Sequence, residues 1–150
     1  PAVFFYFAVW LAPLPPPVPE LVARRLRVRK ATLEDLLGLA ELRSALDELP
    51  ADARPSQIVR ALSGFAPRVL LTARLLDLSS AANAWLDRFM AEWRHVRTAV
   101  TGNDLRGAGL PPGPAYTRIL DALLAARLDG LVADEAQERR LLAELVAGEK

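Results

Sequence analysis

Thr101 and Asp104, with Arg106, Gly113 and Arg118 downstream, are the residues whose types and spacing could do chemistry, and that chemistry is the binding of a phosphate group. They lie in the segment TGNDLRGAGLPPGPAYTRIL, residues 101–120. Thr101 followed three residues later by Asp104 fits a capping-box variant, in which hydroxyl and carboxylate satisfy the first unpaired N–H groups of a short helix. Gly107 and Gly109 then supply the backbone freedom to end it. Pro111, Pro112, Gly113 and Pro114 rebuild the chain as a tight turn, and a proline is tolerated in a first helical turn because its missing N–H would have had no partner. Two helix N-termini this close together could grip a phosphate backbone. Thr101 and Gly102 would serve at one, Gly113 and Arg118 at the other, and Arg106 on the short helix between them. Two other readings stand beside this one. The segment could simply turn the chain between packed helices, or it could be a helix-hairpin-helix DNA-binding motif, although every proline in the elbow removes a donor N–H.

A second candidate group is Arg24, Arg25, Arg27, Arg29 and Lys30, five cations within seven residues on a chain whose net charge is only +1. Such a patch attracts nucleic acid without making the whole surface adhesive; alternatively, cations near a helix C-terminus complement its dipole. Trp85, Phe89 and Trp93 recur at helical spacing and could stack on unpaired bases, but Leu86, Met90 and Val96 adjoin the same stripe, which favours core packing. Arg94, His95 and Arg97 make a smaller basic cluster. Catalysis finds no support: His95 is the single histidine, there are no cysteines, and no serine sits in a nucleophile elbow. Gly107-Ala108-Gly109 lacks the Gly-Lys-Ser/Thr of a P-loop. The acidic pairs Glu34-Asp35, Asp47-Glu48 and Asp134-Glu135 lie where helices start or end, so they read as caps and dipole partners rather than metal ligands. No catalytic or metal-binding residue is assigned.

Val100-Thr101-Gly102-Asn103-Asp104-Leu105, then Gly109-Leu110-Pro111-Pro112-Gly113-Pro114, then Ile119-Leu120 and Leu123-Leu124 resemble a pattern near the C-terminus of bacterial tRNA nucleotidyltransferases, the CCA-adding enzymes, and their poly(A) polymerase relatives. Leu128-Asp129-Gly130-Leu131-Val132, followed by an acidic-started helix over 134–146, is similar to that family's ending. The match is dense over 101–145 and faint before it, where Arg25-Leu26-Arg27 resembles a helix end in the family's middle region. The resemblance implies the helical C-terminal body and tail of such a protein. It implies a cytoplasmic parent enzyme that extends RNA 3′ ends with ATP or CTP and Mg²⁺, and a role for this piece in holding tRNA or other RNA. Family members carry a paired Asp-x-Asp for two metal ions in an N-terminal catalytic head. No Asp-x-Asp occurs here, so no cofactor is assigned to this piece, and the head becomes an expected partner. The chain opens on Pro1 inside an apolar run, which fits an excised C-terminal piece that is not itself the enzyme.

The elements that must position these residues are expected to be helices. Leu, Ala, Arg and Glu dominate, all good helix formers, and no stretch shows sustained β-branched alternation, so the fold class is all-α with about eight short-to-medium helices. At 150 residues and 52% hydrophobic composition the chain can bury a core, roughly two-thirds or more of its unfolded surface. Residues 1–100 are expected to form a body-like region and 101–150 a C-terminal segment. Punctuation places helices over 2–12, then after the stiff connector 14–19 over 20–28, 33–49, 57–62, 68–78 and 81–99, with the last from Pro114 to Leu128 and over 134–146. Thr32 with Asp35, Ser56, and Ser79 or Ser80 are the expected caps. The opening apolar run ends at about twelve residues, against roughly twenty needed to span a bilayer. No membrane partner is expected.

Overall fold

Proline opens helices in this chain and left-handed residues close them. The computed structural model describes residues 2–11, 14 and 17–148. It shows α1 (Ala2–Leu11), α2 (Val18–Arg25), α3 (Lys30–Asp47), α4 (Pro55–Leu62), α5 (Pro67–Leu75) and α6 (Ser80–Ala91). A 3₁₀ turn (Trp93–His95), α7 (Gly102–Gly107), α8 (Pro114–Leu128) and α9 (Glu135–Gly148) complete it. Among the described residues there is no strand, so the all-α expectation holds. Proline stands in the first turn of α2, α4, α5 and α8, where its fixed φ suits the helix and its missing N–H costs nothing. Four helices end on a residue at positive φ: Arg27 (50°), Asp77 (51°), Gly109 (85°) and Gly130 (73°). At three of these ends the next N–H reaches back five residues, Val28 to Ala23, Leu110 to Leu105 and Leu131 to Ala126, the Schellman arrangement that satisfies the last carbonyls. Arginine in that position costs about 1 kcal/mol relative to glycine.

Two apolar cores result. The first gathers Phe4, Ala8 and Leu11 of α1, Leu36, Leu39, Leu42 and Leu46 of α3, and buried residues of α2, α4, α5 and α6. Helix α3 is its axis, packed by α1, α2, α4 and α5. The second joins Val100, Leu105 and Leu110 to Ile119 and Leu123 of α8 and Leu142 and Val146 of α9. Helix α8 packs on α4, and its Leu128 reaches the first core. No described helix is long and apolar enough to cross a membrane.

Several expected boundaries move. Helix α6 ends at Ala91 instead of near residue 99, because Val96, Thr98, Val100 and Thr101 alternate β-branched side chains that favour extended chain. Trp93 leaves the helix but stays buried, with the Arg88 guanidinium 4.7 Å from its ring centroid, so the aromatic stripe is core. Helix α3 begins at Lys30 behind Arg29, which puts Thr32 inside the first turn and overturns the Thr32–Asp35 cap. Asp35 is buried and accepts from Arg68 Nε at 2.6 Å instead. Leu37 of α3 is exposed. Ser79 does cap α6, accepting from Ala82 N–H at 3.2 Å. Helix α2 covers Val18–Arg25 rather than 20–28. Ala12, Pro15 and Pro16, the expected end of α1 and part of the connector after it, lie outside the described residues.

Candidate nucleic-acid interface

The start of α7 is built as its sequence predicts. Asp104 Oδ2 accepts from the Thr101 N–H and from the Thr101 hydroxyl, both at 2.7 Å. The Thr101 hydroxyl and then the Thr101 N–H hold the Asp104 carboxyl below its ordinary value, so it is ionised at neutral pH. Both Thr101 donors are therefore engaged within the box. Gly102 lies under the Tyr116 ring: a Cβ there would sit 3.8 Å from Tyr116 Cδ2. The Tyr116 hydroxyl donates to the Leu110 carbonyl at 2.9 Å. One ring thus fastens the beginnings of α7 and α8 to each other and pins the elbow between them.

That elbow has a buried foot and an exposed crest. Leu110 is in the second core, whereas Pro111, Pro112, Gly113 and Pro114 face solvent. Gly113 is extended, φ 172°. At the α8 end Pro114 has no N–H and the Tyr116 N–H donates to the Gly113 carbonyl at 3.0 Å, which leaves Ala115 as the first-turn donor. Arg106 and Arg118 are both exposed on the helices flanking the elbow. The arrangement offers guanidinium groups and few backbone amides, a surface suited to phosphate oxygens rather than base edges.

The five cations between the end of α2 and the start of α3 are not one patch in character. Arg24 pairs with Glu20 at 2.7 Å and Lys30 with Glu34 at 3.7 Å, each one helical turn apart. Arg25 is exposed. Arg27 and Arg29 line a cavity together with Arg68. Helix α2, which carries Arg24 and Arg25, buries Ala23 in the first core, and α3, which opens on Lys30, is that core's axis, whereas the elbow stands on the second. The structure therefore brings Thr101, Gly102 and the start of α8 together, and places residues 24–30 on a separate part of the fold. Arg94, His95 and Arg97 are exposed, and Arg97 Nη1 donates to the Arg94 and Val96 carbonyls.

Two carboxylates that support this region escaped sequence reasoning. Glu138 of α9 is wholly buried. It accepts from the Ala99 N–H at 2.7 Å, the Val100 N–H at 3.3 Å and Arg127 Nη1 at 2.5 Å. Burial pushes its carboxyl up, yet the Arg127 hydrogen bond and the two backbone donors together hold it below the usual range. Asp129, just past α8, accepts from the Ser56 N–H at 2.9 Å and hydroxyl at 2.8 Å, so α4 is capped from a distance instead of by Ser56 itself. Glu138 left a signal: with Leu142 and Val146 it forms an apolar stripe at four-residue spacing that opens on an acid. Asp129 left none. Among the described residues no His, Cys, Asp and Glu groups assemble into a metal-binding set.

No protein-family model and no solved structure matches the chain. The chain is similar to an A-adding tRNA nucleotidyltransferase of Geobacter sulfurreducens, 36% identical over 94 residues. Those residues make up 63% of this chain and 11% of that protein. The chain therefore spans about a tenth of the relative's length.

Proposed function

We propose that this chain is the helical C-terminal, RNA-holding part of a protein that adds nucleotides to RNA 3′ ends, with tRNA the leading substrate. The observation that carries the reading is the coincidence of two independent facts. The chain is 36% identical over 94 residues to an A-adding tRNA nucleotidyltransferase, and its 101–120 element presents Arg106, Gly113 and Arg118 on an exposed elbow braced by Tyr116. Contacts of that kind grip backbone and shape, so binding would be largely independent of base sequence. Addition of A, CC, CCA or a poly(A) tail, with ATP or CTP and Mg²⁺, is assigned in this proposal to a catalytic head in the parent protein. Cytoplasmic tRNA maturation is its expected setting.

Binding of this chain to tRNA and to duplex DNA of similar length, each at low and high salt, tests the proposal. The expected result is a salt-sensitive preference for tRNA. Arg106→Ala with Arg118→Ala should then weaken tRNA binding by about tenfold and lower the salt slope by about two, with helicity unchanged by circular dichroism. Equal affinity for duplex DNA would move the assignment to the helix-hairpin-helix reading, and indifference to both would end it.

One observation favours a further reading, that of an interaction domain. Helix α1 buries Phe4, Ala8 and Leu11 on one face and exposes Tyr6 (78%), Val9 (63%) and Trp10 (62%) on the other. A bare aromatic and aliphatic face of this kind marks a contact with another protein surface.

A further inference from the structure

The turn between α2 and α3 forms one wall of a cavity of about 780 Å³, within the range of roughly 300–1,000 Å³ found for small-molecule sites. Phe5 and Phe7 line it from α1, Arg27 and Arg29 from the turn, Asp35 from α3 and Arg68 from the start of α5. Three guanidinium groups thus meet one carboxylate, and that carboxylate is already engaged by Arg68 Nε at 2.6 Å. Asp35 is 10% exposed at its side chain and Arg68 61%, so the pair anchors the arginine while its outer N–H groups remain toward solvent. The cavity therefore combines an aromatic wall with a surplus of positive charge. A nucleotide matches both: its base offers a π face to phenyl rings, and its phosphate takes the planar guanidinium fork.

Arg27 supplies a second and independent observation. It occupies the left-handed position that Gly109 and Gly130 fill at the ends of α7 and α8. Asp77, the other exception, uses its carboxylate to accept from Asn83 Nδ2. The Arg27 side chain makes no hydrogen bond or ion pair among the described residues, unlike Arg24 with Glu20 and Lys30 with Glu34. Local stability would favour glycine at this point. What arginine adds there is a guanidinium at the cavity wall.

We propose that this cavity binds a single nucleotide, the base against Phe5 and Phe7 and the phosphate on Arg27, Arg29 and Arg68. The nucleotide is either free or an unpaired residue of an RNA chain. The choice of ligand rests on the RNA-holding reading; the cavity and its charge do not.

Titration of the chain with AMP, with a short oligoadenylate and with inorganic phosphate, followed by NMR of the phenylalanine rings and arginine side chains, tests this. AMP or the oligoadenylate should shift Phe5, Phe7, Arg27 and Arg29 and bind at least about fivefold more tightly than phosphate, since only they carry a stacking base. Shifts with AMP identify a free nucleotide as sufficient; shifts with the oligoadenylate alone identify a nucleotide within RNA. Arg27→Gly should weaken binding by about tenfold through loss of one charge-assisted contact while raising the melting temperature, and substitution of an exposed arginine of α9, Arg140→Ala, should leave affinity within about twofold. Absence of shifts with both nucleotides, phosphate binding as tightly as AMP, or equal weakening by Arg140→Ala and Arg27→Gly would each overturn the site. A chain that binds tRNA but shows no shifts with AMP or the oligoadenylate loses this subsite and keeps the wider reading. A chain indifferent to tRNA that still takes AMP here does the reverse.

Discussion

Glu138 shows how much one side chain can decide. Among the described residues its carboxylate is the acceptor of the Ala99 and Val100 N–H groups, and it also holds Arg127. Replacing it by glutamine keeps the shape but removes the charge and one acceptor oxygen, so Glu138→Gln should destabilise the fold by about 2–4 kcal/mol in urea unfolding. The pH dependence follows from the lowered carboxyl value. A group whose folded-state value lies below its unfolded one contributes fully above the unfolded value, about 4.3 for Glu, and loses its contribution as pH falls through the folded one. The gap between native and Glu138→Gln unfolding midpoints should therefore be widest near neutral pH and shrink below about pH 4. A gap that stays constant down to pH 2 would show that packing, and not charge, is what glutamine disturbs.

At the scale of elements, the helix grammar was legible and its tertiary exceptions were not. Pro55, Pro67 and Pro114 mark helix starts, and Gly109 and Gly130 mark ends, through backbone rules that operate within a few residues. The Thr101–Asp104 box and the Ser79 cap obey the same local rules and were readable for that reason. Thr32–Asp35 looked identical on paper, yet Arg68, thirty-three residues on, captures Asp35. Residues 96–101, rich in β-branched side chains, run extended, and the Glu138 carboxylate of α9 takes the Ala99 and Val100 N–H groups that a helix would have used. The candidate elbow was legible in outline, but its bracing by the Tyr116 hydroxyl and the division of cations 24–30 into paired and cavity-lining groups needed coordinates. Ser56 and Asp129, seventy-three residues apart, lay beyond any local rule. Asp129→Ala removes the distant cap of α4 and should cost about 1–2 kcal/mol, with Ser56→Ala costing less because the backbone donor to Asp129 survives. Thermal unfolding of the two variants side by side checks the order.

The molecule as a whole consists of a larger core around α3 and a smaller one around α8 and α9, with the proposed RNA elbow on the second and the proposed nucleotide cavity on the first. The bare face of α1 adds a third surface. If that face meets another copy of the chain, sedimentation velocity should show association that rises with concentration and disappears in Trp10→Glu. A monomer at every concentration would leave the face to a different partner. Helix α9 has one more consequence, which concerns time. As the chain is synthesised from its N-terminus, the amides of Ala99 and Val100 emerge about forty residues ahead of the Glu138 carboxylate that accepts from them. Ser56 waits longer still for Asp129. The first core can assemble early, but the passage between the cores stays open until the last helix arrives, so a nascent chain halted after α8 would hold its junction unlatched.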